Sequence, residues 1–388
     1  MNASSNDRPP SKSDVVVLGG GPAGAATAIA LARAGRSVTV IEKSHYQEPR
    51  IGETLPPSAR IPLAELGVWE AFLLAGHAPA PGVASSWGED GLHDTHFIFN
   101  AHGRGWHLDR HRFDEMLAHA ARDAGARVYC GARTGSCVRH SDLWQLELVS
   151  DAEPQSPPHR VRARFLIDAT GRAATIARQQ GARRLSVDRL VGLTAMLPER
   201  REDAGRPRGD GRESDGSAWT LVEACADGWW YSALLPSGRW MAVYMTDADL
   251  LPVERESWRA FWLSRLQQTT HTRARVDVCA DSLTPRVFAA GTSRLDRVFG
   301  DGWLAVGDAA MARDPLSGQG LVQALTSGMR AGEALNRRLT GDTTAIAQYA
   351  GQSVSSFYEY SRLRAIHYGR EQRWAQSVFW RRRQLAAA

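Results

Sequence analysis

The sequence predicts an α/β protein: a doubly wound, three-layer domain, a mainly antiparallel β domain inserted into it, and a helical C-terminal segment. Three observations predict this. A β-branched run, Asp14-Val-Val-Val-Leu18, feeds directly into Gly19-Gly-Gly-Pro-Ala-Gly24 and an Ala-rich stretch. Far downstream a second apolar run, Gly302-Trp-Leu-Ala-Val306, ends on Gly307-Asp-Ala-Ala310. Between them, segments 189–197, 218–226, 229–235 and 239–246 are joined by short turns such as Asp227-Gly228 and Ser237-Gly238, the spacing of an antiparallel sheet.

The first run reads as a buried parallel strand. Gly19, Gly21 and Gly24 fit G-x-G-x-x-G. Gly19 allows the tight turn, Gly21 lets a pyrophosphate approach the backbone, and Gly24 lets the next helix lie close to the strand. Pro22 and Ala23 open a helix over 22–34, whose free amides at a positive end suit phosphate. A second strand, Ser37-Val-Thr-Val-Ile41, ends at Glu42, placed for the ribose hydroxyls, with Lys43 beside it. A nicotinamide dinucleotide satisfies this motif as well as FAD does, so the downstream motif decides. Asp308, after a strand end, suits a ribityl hydroxyl. Asp314-Pro-Leu-Ser-Gly-Gln-Gly320 then leads into an apolar helix. The amides around Gly318, Gln319 and Gly320 stand where a reduced flavin carries negative charge. The cofactor expected is FAD, held without a covalent bond because no His or Cys anchoring motif is present.

Residues 44–66 read as a Pro/Gly-rich excursion without regular structure. A helix follows over about 113–124, strands near 126–149, and a strand over 161–167 ending in Asp168-Ala-Thr-Gly171. Residues 200–217 are charged and Gly-rich and read as a mobile loop. The expected division is a flexible tail (1–12), a discontinuous FAD domain (13–85, 104–185 and 280–342), a substrate domain (86–103 and 186–279) and C-terminal helices (343–388).

With 43% hydrophobic and 23% charged residues, the 388-residue chain has the composition of a soluble protein with a large core. Its net charge of +5 comes from scattered arginines; Lys12 and Lys43 are the only lysines, and no nucleic-acid footprint is read. Cys130, Cys137, Cys225 and Cys279 show neither CxxC nor metal-ligand spacing, so no metal is expected and buried free thiols are. The polar N-terminal dozen residues resemble neither signal peptide nor anchor, and no run approaches the length of a transmembrane helix. A cytoplasmic location follows as the expectation.

These residues resemble the superfamily of flavoprotein hydroxylases, flavin-dependent halogenases and geranylgeranyl reductases, over essentially the whole chain. By that resemblance Gly52-Glu53 lies along the flavin, Arg110 of Arg-x-x-Phe-Asp braces the cofactor, Asp168 and Gly171 form the middle motif, and Gly307-Asp308 the last. Within it, Gly52-Glu-Thr-Leu-Pro56 and Gly228-Trp-Trp-Tyr-Ser-Ala-Leu-Leu-Pro236 look halogenase-like. Halogenases, however, carry a tunnel lysine nine positions after the Gly of Gly-Glu, and Ile61 stands there. Ser317 replaces their loop acid, and Tyr231 and Ala233 break their Trp-x-Trp-x-Ile-Pro. Halogenation is disfavoured.

The closer likeness is to the flavoproteins that mature tryptophylquinone cofactors of amine and amino-acid oxidases (the LodB/GoxB type). It is carried by Gly52–Pro57, Gly105–Arg110, Gly228–Ser232, Asp314–Gly320 and the stretch from Arg373-Trp374 to Phe379–Arg383. It implies a monooxygenase that oxygenates a tryptophan side chain in a partner oxidase precursor. Reduced flavin activates oxygen there, and an electron-rich ring accepts it in a dry pocket. Gln319 and Gly320 are the candidates for stabilising charge on the flavin. Pro57 and Pro315 are expected to wall the pocket. Trp229 and Tyr231, on one face of a strand with Trp230 opposite, either line the pocket or pack in the core. His45, His93, His96, His107 and His111 are possible proton carriers, and none is assigned. Phe357, Tyr360, Arg364 and Tyr368 share one helical face, which points to packing. Arg381–Arg383 read as solvating the chain end. Three alternatives stay open: a monooxygenase of a small aromatic metabolite, a prenyl-lipid-type reductase, and a non-catalytic assembly flavoprotein. Electrons come either from NAD(P)H or from a separate flavin reductase.

Overall fold

The computed structural model describes residues 10–48, 50–150, 158–198, 218–276 and 283–385. The expected loop at 200–217, Cys279 and residues 1–9 of the expected tail lie outside them. The labelled elements are β1 (Lys12–Leu18), α1 (Pro22–Arg33), β2 (Val38–Glu42), β3 (Gly82–Ser86), β4 (His93–His96), α2 (Arg110–Asp123), β5 (Arg127–Cys130), β6 (Ala132–His140), β7 (Leu143–Ser150) and β8 (His159–Asp168). They continue with β9 (Leu190–Leu197), β10 (Thr220–Cys225), β11 (Gly228–Leu234), β12 (Trp240–Asp247), α3 (Trp258–Gln267), β13 (Arg286–Ala289), β14 (Trp303–Ala305), α4 (Gly320–Leu339), α5 (Ala345–Gly369) and α6 (Val378–Leu385).

Five strands run parallel in the order β14-β8-β1-β2-β5. Val15, Val16 and Val17 in the central strand are fully buried, as a strand covered on both faces requires. Helices α1, α2 and α4 pack together in one layer. The antiparallel pair β6–β7 continues from β8 and packs back onto β2, sealing its share of the core with Trp144 and Leu146. The α/β fold is thus the one expected, with an antiparallel arm forming part of the third layer.

Small residues set how α4 meets α1. Gly328 and Gly332 face Ala23, Ala26 and Ala30, and the Thr27 hydroxyl donates to both the Ala23 and Gly328 carbonyls. The two helices therefore run side by side in the same direction, joining chain segments far apart in sequence.

The second sheet has seven strands in the order β13-β9-β12-β11-β10-β3-β4. All pairings are antiparallel except β10 with β3. Strands β9 to β12 lie within the expected 186–279 stretch and β4 within 86–103, whereas β13 and most of β3 fall in stretches read as FAD domain. Lys12 begins β1 instead of ending a tail. The 44–66 excursion is more regular than expected, with a short strand at Thr54–Leu55, a tight turn at Pro57–Ala59 and a helix at Arg60–Glu65. Residues 345–369 and 378–385 are helical, and Phe357, Tyr360, Arg364 and Tyr368 are all buried. Arg383 corrects the reading of the C-terminal arginines: it is buried and paired with Asp247 at 2.6 Å, beside an Arg382–Asp247 pair at 2.8 Å. The buried Arg383 and the exposed Arg382 converge on one buried carboxylate, which ties α6 to β12; the buried cation needs that partner.

Candidate flavin site

The upstream cradle is built where β1 turns into α1. Gly19 sits at φ +103°, and a Cβ there would strike the Ala169 carbonyl; one on Gly24 would strike the Gly19 carbonyl. Gly21, by contrast, faces open space, its nearest neighbour for a Cβ being Arg50 Nη1 at 3.9 Å. Helix α1 begins at Gly21 with Pro22 in its first turn and no side-chain cap, which leaves early amides free for a pyrophosphate.

Glu42 is buried at the end of β2. One carboxylate oxygen accepts from the Gly20 amide at 2.7 Å, the other from the Ser44 hydroxyl at 2.6 Å and Arg50 Nη2 at 2.9 Å. Burial alone raises its pKa, yet these donors hold it below the usual carboxylate range. Arg50 then reaches Asp114 at 2.8 Å, and Arg110 grips the same Asp114 at 3.1 Å while donating to the Ile51 carbonyl at 2.6 Å. Arg110 therefore braces the Gly52-Glu53 backbone. Arg50 and Asp114 escaped sequence reasoning; the acid ending Arg-x-x-Phe-Asp was the available signal. Lys43 is exposed.

The middle turn is structural support. Asp168 is fully buried and accepts from the Thr170 amide and hydroxyl at 3.1 and 2.6 Å, and from the Ala177 amide at 2.9 Å. With both oxygens engaged, it shapes the turn against which Gly19 rests. Gly171 opens the next turn, from which Arg172 reaches Asp308 at 3.6 Å. Gly307 lets the chain cross α1, a Cβ there lying 2.7 Å from Ala23 Cβ. Asp308 keeps 42% of its side chain exposed, and desolvation by its surroundings raises its pKa against the pull of Arg172 and Arg184.

Helix α4 starts at Gly320 after Gln319, without a side-chain cap. Because α1 and α4 run in the same direction and Gly328 meets Ala23 and Ala26, the α4 end projects beyond the α1 end by roughly 8 Å of helical rise. Two free helix N-termini at that offset suit the two ends of one flavin dinucleotide, the pyrophosphate at α1 and the ring at α4. The Pro57–Ala59 turn packs against α4, with Pro57 buried, whereas Pro315 is exposed on the loop. Glu53, 2% exposed, has one carboxylate oxygen without a partner among the described residues; burial raises its pKa.

The Tyr231 hydroxyl meets Thr54 Oγ1 at 2.5 Å, directly beside Glu53. Trp229 is different. It is 1% exposed, packed among Trp87, Tyr368 and Trp380, with its Nε1 donating to the Tyr368 hydroxyl at 3.1 Å. It is a core residue, not a pocket wall. His107 is also buried, bonded to Thr220 Oγ1 at 2.9 Å, and burial lowers its pKa to about 4, so it is a neutral link between domains. Among the described residues no cluster of ligands fit for a metal is found, and no helix is long and apolar enough to cross a membrane.

Fold and cradle define a flavoprotein, and the chain belongs to the FAD binding domain family, whose model matches residues 12–352. It is 29% identical over 384 residues to the FAD-dependent oxidoreductase LodB of Marinomonas mediterranea, across 97% of this chain and 98% of that one. It is 25% identical to the 1H-pyrrole-2-carbonyl-[peptidyl-carrier protein] brominase of Pseudoalteromonas luteoviolacea, across 88% and 82%. Among solved structures, the peptidyl tryptophan dihydroxylase QhpG, essential for tryptophylquinone cofactor biogenesis, matches with a TM-score of 0.78 and 28% identity over 96% of this chain and 79% of that one. The flavin-dependent halogenase CmlS shares the fold, with a TM-score of 0.82 at 23% identity over 96% and 67%. The protein is an FAD-dependent oxidoreductase of the monooxygenase and halogenase-like fold.

Proposed function

We propose that the protein is a monooxygenase that hydroxylates a tryptophan side chain of a partner oxidase precursor during maturation of a quinone cofactor. The observation that carries this reading is near full-length similarity to LodB and QhpG, the latter a peptidyl tryptophan dihydroxylase. The chain's own residues agree. Halogenation lacks its lysine, since Ile61 takes the tunnel position, Lys12 lies in β1 and Lys43 is exposed. When bound, FAD supplies oxygen activation, with electrons from NAD(P)H or a separate reductase. The protein's share is to hold the dinucleotide between two helix ends, with Gln319 and Gly320 favouring negative charge at the ring. Pro57, Thr54 and Tyr231 screen the ring side from water, with Pro315 at the rim.

Co-expression with an oxidase precursor encoded beside it tests the reading. Peptide mass spectrometry is expected to find oxygen added to one tryptophan of that precursor. An untouched precursor, alongside turnover of free aromatic compounds, would transfer the assignment to small-metabolite hydroxylation.

A further inference from the structure

Asp314, which opens the loop leading to α4, is held from above by α5. It is 1% exposed. Its Oδ1 accepts the Leu316 amide at 2.9 Å, fixing the start of the loop. Its Oδ2 accepts the Tyr368 hydroxyl at 2.7 Å and Arg364 Nε at 3.2 Å. Its amide donates to the Tyr360 hydroxyl at 2.7 Å. Arg364 continues to Asp188 at 2.6 Å. The Tyr368 oxygen in turn accepts from Trp229 Nε1 on β11. One buried hydroxyl thus touches both the substrate sheet and the flavin-side loop. Burial, then the neighbouring Asp314, keeps Tyr368 a neutral phenol, so it remains a donor.

We propose that Tyr368 is a positioning residue: by bridging Trp229 and Asp314 it sets the conformation of the 314–320 loop, and with it the affinity and reduction potential of FAD. The proposal rests on the reading that this loop faces the flavin ring. Removing the hydroxyl leaves a buried indole N–H short of its acceptor and the carboxylate short of a donor, so the loop must readjust. A loop that presents its amides less well favours the anionic reduced ring less.

The test compares Tyr368→Phe with wild type, using FAD itself as the probe. Tyr244→Phe serves as a matched control, since that buried hydroxyl donates to the Asp227 carbonyl at 3.0 Å, away from the loop. In Tyr368→Phe the FAD dissociation constant is expected to rise about tenfold. The midpoint potential should fall, by about 30 mV for each tenfold loss of preference for the reduced form. Tyr244→Phe should lower the melting temperature and leave both flavin quantities at wild-type values. A Tyr368→Phe protein that melts earlier but binds FAD at wild-type affinity and potential overturns the proposal. If that variant does not fold, Trp229→Phe takes its place with the same expected direction and the same overturning result. Gln319→Glu separates the underlying reading, because a new charge beside the ring must lower the potential. Movement in Gln319→Glu without movement in Tyr368→Phe defeats the positioning role alone; no movement in either defeats the loop assignment with it. No substrate enters these measurements, so they stand apart from the identity of the partner.

Discussion

Trp229 donates its indole N–H to the Tyr368 hydroxyl at 3.1 Å, across 139 residues of sequence, and so joins β11 to helix α5. The aromatic motif Gly228–Ser232 therefore divides its work. Trp229 anchors the core on one face of β11, Trp230 packs on Trp262 and Tyr244 on the other, and Tyr231 bonds Thr54 beside Glu53.

Trp229→Ala is accordingly expected to behave as a core truncation, with a loss of about 3–5 kcal/mol in unfolding free energy and a large drop in melting temperature. Denaturant titration checks it. Retention of wild-type stability with a specific loss of substrate turnover would return Trp229 to the pocket.

Gly21→Val should abolish FAD binding while the apoprotein keeps its secondary structure. At Gly21 a side chain meets no protein atom closer than Arg50, so the space it fills is the ligand's. Wild type is expected to be yellow and to release its flavin into the supernatant on acid precipitation. Circular dichroism with flavin absorbance distinguishes a folded, colourless variant from an unfolded one.

Acid should weaken the fold before its carboxylates titrate. Burial lowers the pKa of His107 to about 4 and that of His77 to about 4, from 6.5. Between those values the unfolded chain binds protons that the folded chain does not. Stability is full above pH 6.5 and is lost as pH falls toward 4, by about 2 kcal/mol per histidine between pH 7 and pH 5. Glu53 and Asp188, whose pKa values are raised, act in the opposite sense. Comparing urea midpoints at the two pH values in wild type and His107→Gln isolates the histidine, whose share of the pH dependence the variant should lose.

The parts of the site legible in the sequence were those set by backbone geometry. Gly19, Gly24 and Gly307 each occupy a place where a Cβ would collide, and such places leave glycines at fixed spacing. Parallel strands also announced themselves as unbroken apolar runs. The long-range polar network was not legible. Arg50 meets Asp114 across 64 positions and Tyr368 meets Asp314 across 54, spacings that carry no local pattern. Burial decided Trp229 as well: alternation on β11 gave its face correctly but not what covers that face. Strand β13 and most of β3 fall in stretches read as FAD domain because a short strand carries no local mark of the sheet it joins; β3 lies between β10 and β4, and β13 at the sheet's edge.

With reduced FAD, oxygen, bromide or chloride and free tryptophan, the enzyme is expected to form no halotryptophan. Mass spectrometry checks this, and enzyme-dependent, regioselective halogenation would show that a lysine is dispensable at the Ile61 position.

The most direct test of the central claim follows oxygen atoms. The FAD-loaded protein, reduced and mixed with the partner oxidase precursor under heavy-isotope dioxygen, should place heavy oxygen on one tryptophan of that precursor. Label arriving from water instead, or an unlabelled and unmodified tryptophan while the flavin is reoxidised, would contradict the account.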